Sequence, residues 1–345
     1  MKGAFAVLFL AIPPAPGLAA PSPPPALSAT GLFENVSVGT PAAGVASFTP
    51  QYPLWSDGAT KRRWVALPAG TAIDATRAAA WEFPIGTRFW KEFSIEGRRV
   101  ETRMIERLED GTWRFAAYVW NDGQTDAILW PTAGIRSHTL PGGRRYVIPS
   151  EADCRACHEG AASPILGFSA LQLSPDRDPL APHGEPARED DLDLRALIVG
   201  GRLINLPREL TKTSPRIAAP TPAGRAALGY LHANCGHCHA DPKLTGAAAP
   251  VELQLAIDAF DPAAGVAAIA RLLEGTSRYR PRGASDARYV VPGGAQAGTL
   301  LARMRSRDPR IQMPPLGSVQ PDHEALALFE RWINEDLNMP RETTP

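Results

Sequence analysis

Two copies of the pattern C-x-x-C-H constrain this chain more than any other feature of its sequence. CRACH spans residues 154–158 and CGHCH spans residues 235–239, and together they contain all four cysteines of the 345-residue chain. In both copies a histidine follows the second cysteine directly. Each motif therefore groups three side chains that can bind a metal or a cofactor.

The paired motifs have three possible explanations. A C-x-x-C disulfide is usually redox-active on a thioredoxin-like βαβ unit, and the sequence predicts no such unit. Two C-x-x-C units could together supply the four ligands of a zinc site. Neither explanation accounts for the histidine after each pair. Covalent haem accounts for it, because the two thiols bond to the porphyrin and the histidine binds its iron.

The motifs therefore favour two covalently bound haem c groups. The expected ligands are Cys154, Cys157 and His158 for the first haem, and Cys235, Cys238 and His239 for the second. The alternatives of disulfides or a zinc site remain open at this point.

The N-terminus predicts export. Lys2 precedes an apolar run from Ala4 to Ile12, and small residues follow at 17–19, so residues 1–20 have the features of a secretory signal peptide. A run of nine residues is too short to span a bilayer. Because no other long apolar run follows, we expect a periplasmic protein without a membrane span after processing. The proline-rich start of residues 21–45 predicts an extended linker.

Charge excludes one class of partner. The 36 basic residues balance the 36 acidic residues, and no basic block stands out. A nucleic-acid-binding role is therefore not expected.

Residues 46–147 are predicted to form an antiparallel β domain, either a sandwich or a small barrel. Seven of the eight tryptophans lie between Trp55 and Trp130. Residues 113–120 alternate between two faces, and turn pairs such as Asp110-Gly111 separate the strand-like runs. The expected fold class is therefore α+β, with this β domain preceding mostly helical, haem-binding segments.

Two haem segments should follow the β domain. Residues 148–215 contain the first motif, a proline-rich irregular stretch at 163–190 and a short helix that begins near an aspartate at 191–203. Residues 216–340 are mostly helical, and their first helix runs directly into CGHCH. Its predicted start is at Thr221 and Pro222, and that of the last helix is at Asp322, because these residues are typical of helix N-termini.

Met313 is the predicted sixth ligand of the second haem. It lies in the loop sequence IQMPPLG, just before the last helix, and a methionine is a common second axial ligand in cytochromes c. Met304 follows Leu300 and Leu301 at helical spacing, so we expect it in the core. Met339 lies near the chain terminus.

The sixth ligand of the first haem is less defined. No methionine lies between His158 and Cys235. His183 is the nearest candidate downstream, and the weaker candidates are His138 and His232. Met104 is expected in the core of the β domain. A five-coordinate iron or another residue type also remains possible, and His237 is too close to its own cysteines to reach the second iron.

The C-terminal part resembles a class I cytochrome c domain. The order of helix, C-x-x-C-H, variable middle, methionine loop and final helix over residues 216–337 carries this resemblance. In such domains the first and last helices cross closely. The resemblance implies that Gly229 and Trp332 are contact residues at that crossing.

The chain as a whole resembles a family of bacterial two-haem c-type cytochromes that are known only as conserved hypothetical proteins. The resemblance covers about residues 50–337 and rests on YPLWSDGATKRRWVALPAGT (52–71), FPIGTRFWKEF (83–93), YVWNDGQTDA (118–127), YLHANCGHCH (230–239) and RMRSRDPRIQMPPLG (303–317). It implies a β-rich N-terminal domain followed by two haem-bearing segments in the periplasm.

Three functions are compatible with these features. An electron carrier would pass single electrons between a periplasmic redox protein, such as a dehydrogenase or another cytochrome, and an acceptor. A dihaem enzyme, for example a peroxidase-like one, would use the first haem as an open centre. The aromatic loops YPLWSDG and YVWNDGQTD could also bind a sugar, a polymer or a partner, although tryptophans in small β domains are usually core. We expect the carrier rather than an enzyme.

Overall fold

The structure is a computed structural model of the chain. It describes residues 22–131, 136–139, 143, 145–161, 163–240, 253–281 and 287–338. The predicted signal peptide and Met339 lie outside these ranges, and the side chain of His138 is not among those described.

A six-stranded antiparallel sheet forms the N-terminal half, as the strand pattern predicts. Its order is linear, β3-β4-β6-β7-β8-β9, so in the described part of the chain the sheet is open rather than closed into a barrel. Its strands are β3 (Val45–Ser47), β4 (Thr60–Ala66), β6 (Arg88–Ile95), β7 (Arg98–Arg107), β8 (Trp113–Trp120) and β9 (Ala127–Leu129).

Short strands complete the β structure. β1 (Phe33–Asn35) pairs with β2 (Thr40–Pro41), and β10 (Arg136–Thr139) pairs with β11 (Arg145–Ile148), both antiparallel. β5 (Ile73–Asp74) pairs in parallel with β12 (Leu203–Ile204), which belongs to the segment after the first motif.

The two faces of the large sheet pack on different parts of the chain. One face carries Trp64, Trp90 and Met104, which are almost fully buried beneath the N-terminal segment. The opposite face packs against the segment after the first motif, with Phe89 and Phe168 in contact at 5.2 Å between ring centroids. Met104 is thus a core residue, as expected.

The segment predicted as an extended linker is partly folded. Leu27 and Leu32, within residues 21–45, are fully buried against the sheet. Apolar side chains after the proline-rich start cover a sheet face that would otherwise contact water, so this segment belongs to the β structure.

Six α-helices follow in the described ranges. They are α1 (Glu151–His158), α2 (Leu194–Val199), α3 (Pro222–Asn234), α4 (Ala264–Glu274), α5 (Thr299–Arg305) and α6 (His323–Arg331), and a π-helical turn (Trp332–Asp336) continues α6. The fold is therefore a mixed α+β fold. Of the helices in these ranges, none combines the length and apolar character needed to cross a membrane.

The predicted helix starts are confirmed. Thr221 caps α3 by accepting a hydrogen bond from the Gly224 N–H, with Pro222 at the first helical position. Asp322 caps α6 by accepting from the Ala325 N–H. Both caps satisfy backbone donors that the helix itself leaves unpaired.

The helix crossing differs in detail from the expectation. Trp332 is buried and contacts α3, but at Gly224, where an added Cβ would lie 3.2 Å from its Nε1. A Cβ on Gly229 would instead lie 2.0 Å from a ring carbon of Tyr52. Gly229 therefore makes room for the ring of Tyr52, which precedes β4 in the chain, and it does not make room for the last helix.

Candidate functional site

The first motif is built on a helix. All of CRACH lies in α1, so Cys154 and Cys157 are one turn apart on the same face. Ser150 and Asp153 form a reciprocal capping box at the start of this helix, with the Asp153 carboxylate accepting from the Ser150 N–H at 2.9 Å. The cap defines where the helix begins and hence where the two thiols lie.

His158 is held through one ring nitrogen. Its Nδ1 lies 2.6 Å from the Pro164 carbonyl oxygen, and its ring is 5.4 Å from that of Phe115. Burial lowers the pKa of His158 to about 4. The side chain is therefore neutral at pH 7, and with Nδ1 bound to a carbonyl, Nε2 is the nitrogen left to bind a metal.

The second motif follows α3 directly. Cys235 is the C-cap residue of that helix, and its carbonyl accepts hydrogen bonds from the N–H groups of Cys238 (3.1 Å) and His239 (2.8 Å). Nδ1 of His239 lies 2.9 Å from the Leu253 carbonyl oxygen, and burial lowers the pKa of its ring. Both motif histidines thus have the same arrangement, a backbone carbonyl on Nδ1 and a free Nε2.

The two motifs meet in space. The side chains of Cys157 and Cys238 are neighbours, and their interaction raises the pKa of Cys157 to about 12 and lowers that of Cys238. His237, inside the second motif, also lies near Cys157 and acts to lower its pKa. Its Nδ1 is buried without a hydrogen-bond partner among the described residues. The fold therefore joins the two motifs into one site.

Both motifs line one cavity of about 650 Å³. This volume is in the range of small-molecule and cofactor sites. Its walls come from the strands β6, β7 and β8, from the end of α3 and from the segment between α5 and α6. Lining residues outside the motifs include Lys91, Arg103, Phe115, Tyr230, Arg303 and Met313.

The donor set separates the three explanations of the cysteines. All four thiols are free, so no disulfide joins them. In the described ranges, no group of three or more His, Cys, Asp or Glu side chains is arranged to hold a metal ion directly. Haem attachment needs no such cluster, because the thiols bond to the porphyrin. Free thiol pairs and two histidines with an available Nε2, all beside one cavity, are compatible with covalent haem attachment at the motifs.

Met313 lies at this cavity, as does His239. Two hydrogen bonds to Arg303 hold the loop that contains Met313. The Met313 N–H donates to the Arg303 carbonyl at 3.0 Å, and the Arg303 Nε donates to the Ile311 carbonyl at 2.8 Å. Met304 packs in the helical core at 7% exposure, as predicted from its spacing. The structure thus brings the predicted sixth ligand to the same cavity as the second motif.

His183 is placed differently from the expectation for a ligand. Its Nε2 lies 2.8 Å from Asp322 and its Nδ1 lies 3.0 Å from Glu324. Its ring packs against that of Trp55 in a tilted arrangement, with 4.7 Å between the ring centroids. With both nitrogens beside carboxylates, neither is free for iron, so this arrangement gives no support to His183 as the sixth ligand of the first haem.

His232 also has a structural contact. Its Nδ1 accepts a hydrogen bond from the Ile257 N–H at 3.0 Å, and burial lowers its pKa to about 4. It positions the segment after the second motif.

The aromatic loop YPLWSDG packs on the helical part of the chain. The backbone N–H of Trp55 donates to Asn234 at 2.7 Å. The Asp57 carboxylate accepts from the N–H groups of Val319 and Gln320. In the other candidate loop, Trp120 is buried beneath Arg99. These aromatic residues therefore serve contacts within the chain.

Sequence reasoning missed a row of cations in the cavity wall. Arg63, Lys91 and Arg103 lie on three neighbouring strands and all line the cavity. The alternation of side chains within KRRWVA, FWKEF and ETRMIER could have placed these three residues on one face of the sheet. Their alignment across the strands could not be predicted in this way, because it depends on the register in which the strands pair.

Searches of protein-family models, of curated proteins and of solved structures found no match to this chain. The resemblance stated from its motifs therefore remains a prediction.

Proposed function

We propose that this chain is a periplasmic dihaem c-type cytochrome that carries single electrons between a redox partner, such as a dehydrogenase or another cytochrome, and an acceptor. The observation that carries the proposal is the matched pair of motif histidines. Each has Nδ1 bound to a backbone carbonyl, and both line the same cavity as the four free thiols.

Each motif would hold one haem. Cys154 and Cys157 would form the thioether bonds of the first, and Cys235 and Cys238 those of the second. Bound haem supplies a one-electron iron couple, and the protein supplies ligands, burial and orientation. We further propose that residues 216–337 have the organisation of a class I cytochrome c domain.

The protein's own groups prepare the ligands. The carbonyls of Pro164 and Leu253 set the ring orientation of His158 and His239 and select the tautomer with a free Nε2. Burial keeps both rings neutral, which is the form that binds iron. The Arg303 contacts hold the loop that presents the Met313 thioether, the proposed sixth ligand of the second haem.

The contact between the motifs supports electron transfer within the chain. Because Cys157 and Cys238 are neighbours in the lining of one cavity, groups bonded to these two sulfurs would also be neighbours. Two redox centres in contact form a relay, and this favours a carrier with two coupled centres over two independent sites.

A dihaem redox enzyme is the second candidate. The observation that favours it is the pair of cations, Lys91 and Arg103, which line the same cavity as His158. Neither is a usual axial ligand, and an enzyme of this kind would need an open position at the first iron. Saturable carbon monoxide binding to the reduced first haem would favour the enzyme, and no binding would favour the carrier.

Covalent haem per chain tests the proposal. Protein matured in a periplasm should contain two haems by pyridine haemochrome assay and intact mass. The double variant Cys154→Ala/Cys157→Ala should retain one haem, and Cys235→Ala/Cys238→Ala should also retain one. A wild-type chain without covalent haem would refute the proposal and return the cysteines to disulfide or zinc chemistry.

A further inference from the structure

Three cations lie side by side across the cavity face of the large sheet. In the antiparallel register Arg63 of β4 is directly opposite Lys91 of β6, and Lys91 is directly opposite Arg103 of β7. Like charges in directly opposed positions destabilise a sheet. A row of three such charges is stable only where anions compensate it.

The two outer cations have their anions within the chain. Arg63 pairs with Glu185 at 3.2 Å. The Arg103 Nε donates to Glu101 at 3.0 Å, and the Glu101 carboxylate is fully buried and also accepts from the Tyr146 hydroxyl at 2.7 Å. Each outer position is therefore close to neutral.

The central cation has no such partner. Among the described residues, Lys91 has no carboxylate at ion-pair distance and no hydrogen-bond acceptor, and Glu185 acts on it only at longer range. Its one defined side-chain contact is the ring of Phe93, 4.9 Å from Nζ. Burial, together with the charges of Arg63, Lys61 and Arg103, holds the pKa of Lys91 well below its usual range. Lys91 is half-buried and lines the cavity, and without a counter-anion its ammonium form is disfavoured.

We propose that Lys91, with Arg103 beside it, binds a carboxylate inside the cavity, and that this carboxylate is a propionate of the first haem. The inference rests on the proposed function, because haem carries two propionates into the site. The location agrees with it, since Lys91 and Arg103 line the same cavity as Cys154, Cys157 and His158, the residues proposed to hold the first haem. Bidentate and charge-assisted contacts of this kind are typical of carboxylate recognition. A free small carboxylate is the alternative source of the same chemistry.

The first test uses the haem-loaded protein and three variants. Lys91→Met removes the charge with similar volume, Lys91→Arg keeps it, and Lys212→Met removes a lysine that lies on the surface. Lys91→Met should lower the midpoint potential of the first haem, since an unpaired propionate stabilises the oxidised iron. Lys91→Arg should preserve most of the potential, and Lys212→Met should match wild type.

The second test distinguishes the sources of the carboxylate. Acetate is titrated into wild type and Lys91→Met while the haem spectrum and potential are recorded. With the propionate in place, wild type should not respond. A saturable response in wild type that Lys91→Met lacks would retain the carboxylate site but reject the propionate as its occupant.

Two results would overturn the inference. One is an unchanged potential in Lys91→Met together with no acetate response. The other is loss of a nitrogen ligand from the first iron in that variant, which would make Lys91 an axial ligand. Haem content is counted on the same samples. Two haems with either result refute this inference alone, whereas no covalent haem refutes it together with the proposed function.

Discussion

Asp322 connects three parts of the chain at the edge of the cavity, and its replacement tests the packing described above. Its side chain is 4% exposed. The carboxylate accepts from the Tyr230 hydroxyl at 2.9 Å and from the Ala325 N–H at 3.0 Å, and it lies 2.8 Å from Nε2 of His183. One side chain therefore links α3, α6 and the irregular stretch after the first motif.

The cost of Asp322→Ala can be worked from these contacts. Loss of a helix cap costs about 1 kcal/mol. The buried Tyr230 hydroxyl would lose its acceptor, which costs roughly 1–3 kcal/mol, and the partly exposed pair with His183 adds at most about 1 kcal/mol. The free energy of unfolding should fall by roughly 2–5 kcal/mol. Asp322→Asn keeps a cap and an acceptor, so it should lose only about 1 kcal/mol.

Acid should reduce the difference in unfolding free energy between wild type and Asp322→Ala. Burial by itself raises the pKa of Asp322, but hydrogen bonds from His183, Ala325 and Tyr230 outweigh burial and hold it below the usual 3.8. A carboxyl with a lowered folded pKa contributes stability above its unfolded pKa and loses it as pH falls through the folded value. Denaturant unfolding at neutral and acid pH measures both effects. An Asp322→Ala protein within about 0.5 kcal/mol of wild type at neutral pH would refute the reasoning.

Three further substitutions have defined outcomes. Met313→Ala should convert the second haem from low spin to high spin, and an unchanged absorption spectrum would reject Met313 as its ligand. Gly229→Ala should lower the free energy of unfolding by about 1–3 kcal/mol, because the new Cβ would lie 2.0 Å from the Tyr52 ring. Gly123→Ala, with no atom closer than 3.7 Å, is its control, and equal melting temperatures would contradict the predicted clash. Ser150→Ala should cost about 1 kcal/mol through the cap of α1, and an unaltered melting temperature would show that the cap does not limit stability.

Local features of this protein could be predicted from the sequence alone. Local signals predicted the caps at Thr221 and Asp322, the strands of the large sheet and the short helix α2 (Leu194–Val199). All of them depend on residues within a few positions of one another. The grouping of two thiols and one histidine within each motif could also be predicted, because the five residues of a motif are consecutive in the chain. Capping and turn preferences act over such distances, and they needed no knowledge of the fold.

Other features required the tertiary structure. The contact of Cys157 with Cys238, the carboxylates beside both nitrogens of His183 and the fit of Tyr52 against Gly229 each join residues far apart in the chain. The alignment of Lys91 between two arginines depends on strand register. Side-chain alternation defines which face a residue occupies but not which residue it meets. Which residue it meets depends on how whole elements pack against one another. Packing is decided by many weak contacts made at the same time, and no single stretch of sequence contains all of them.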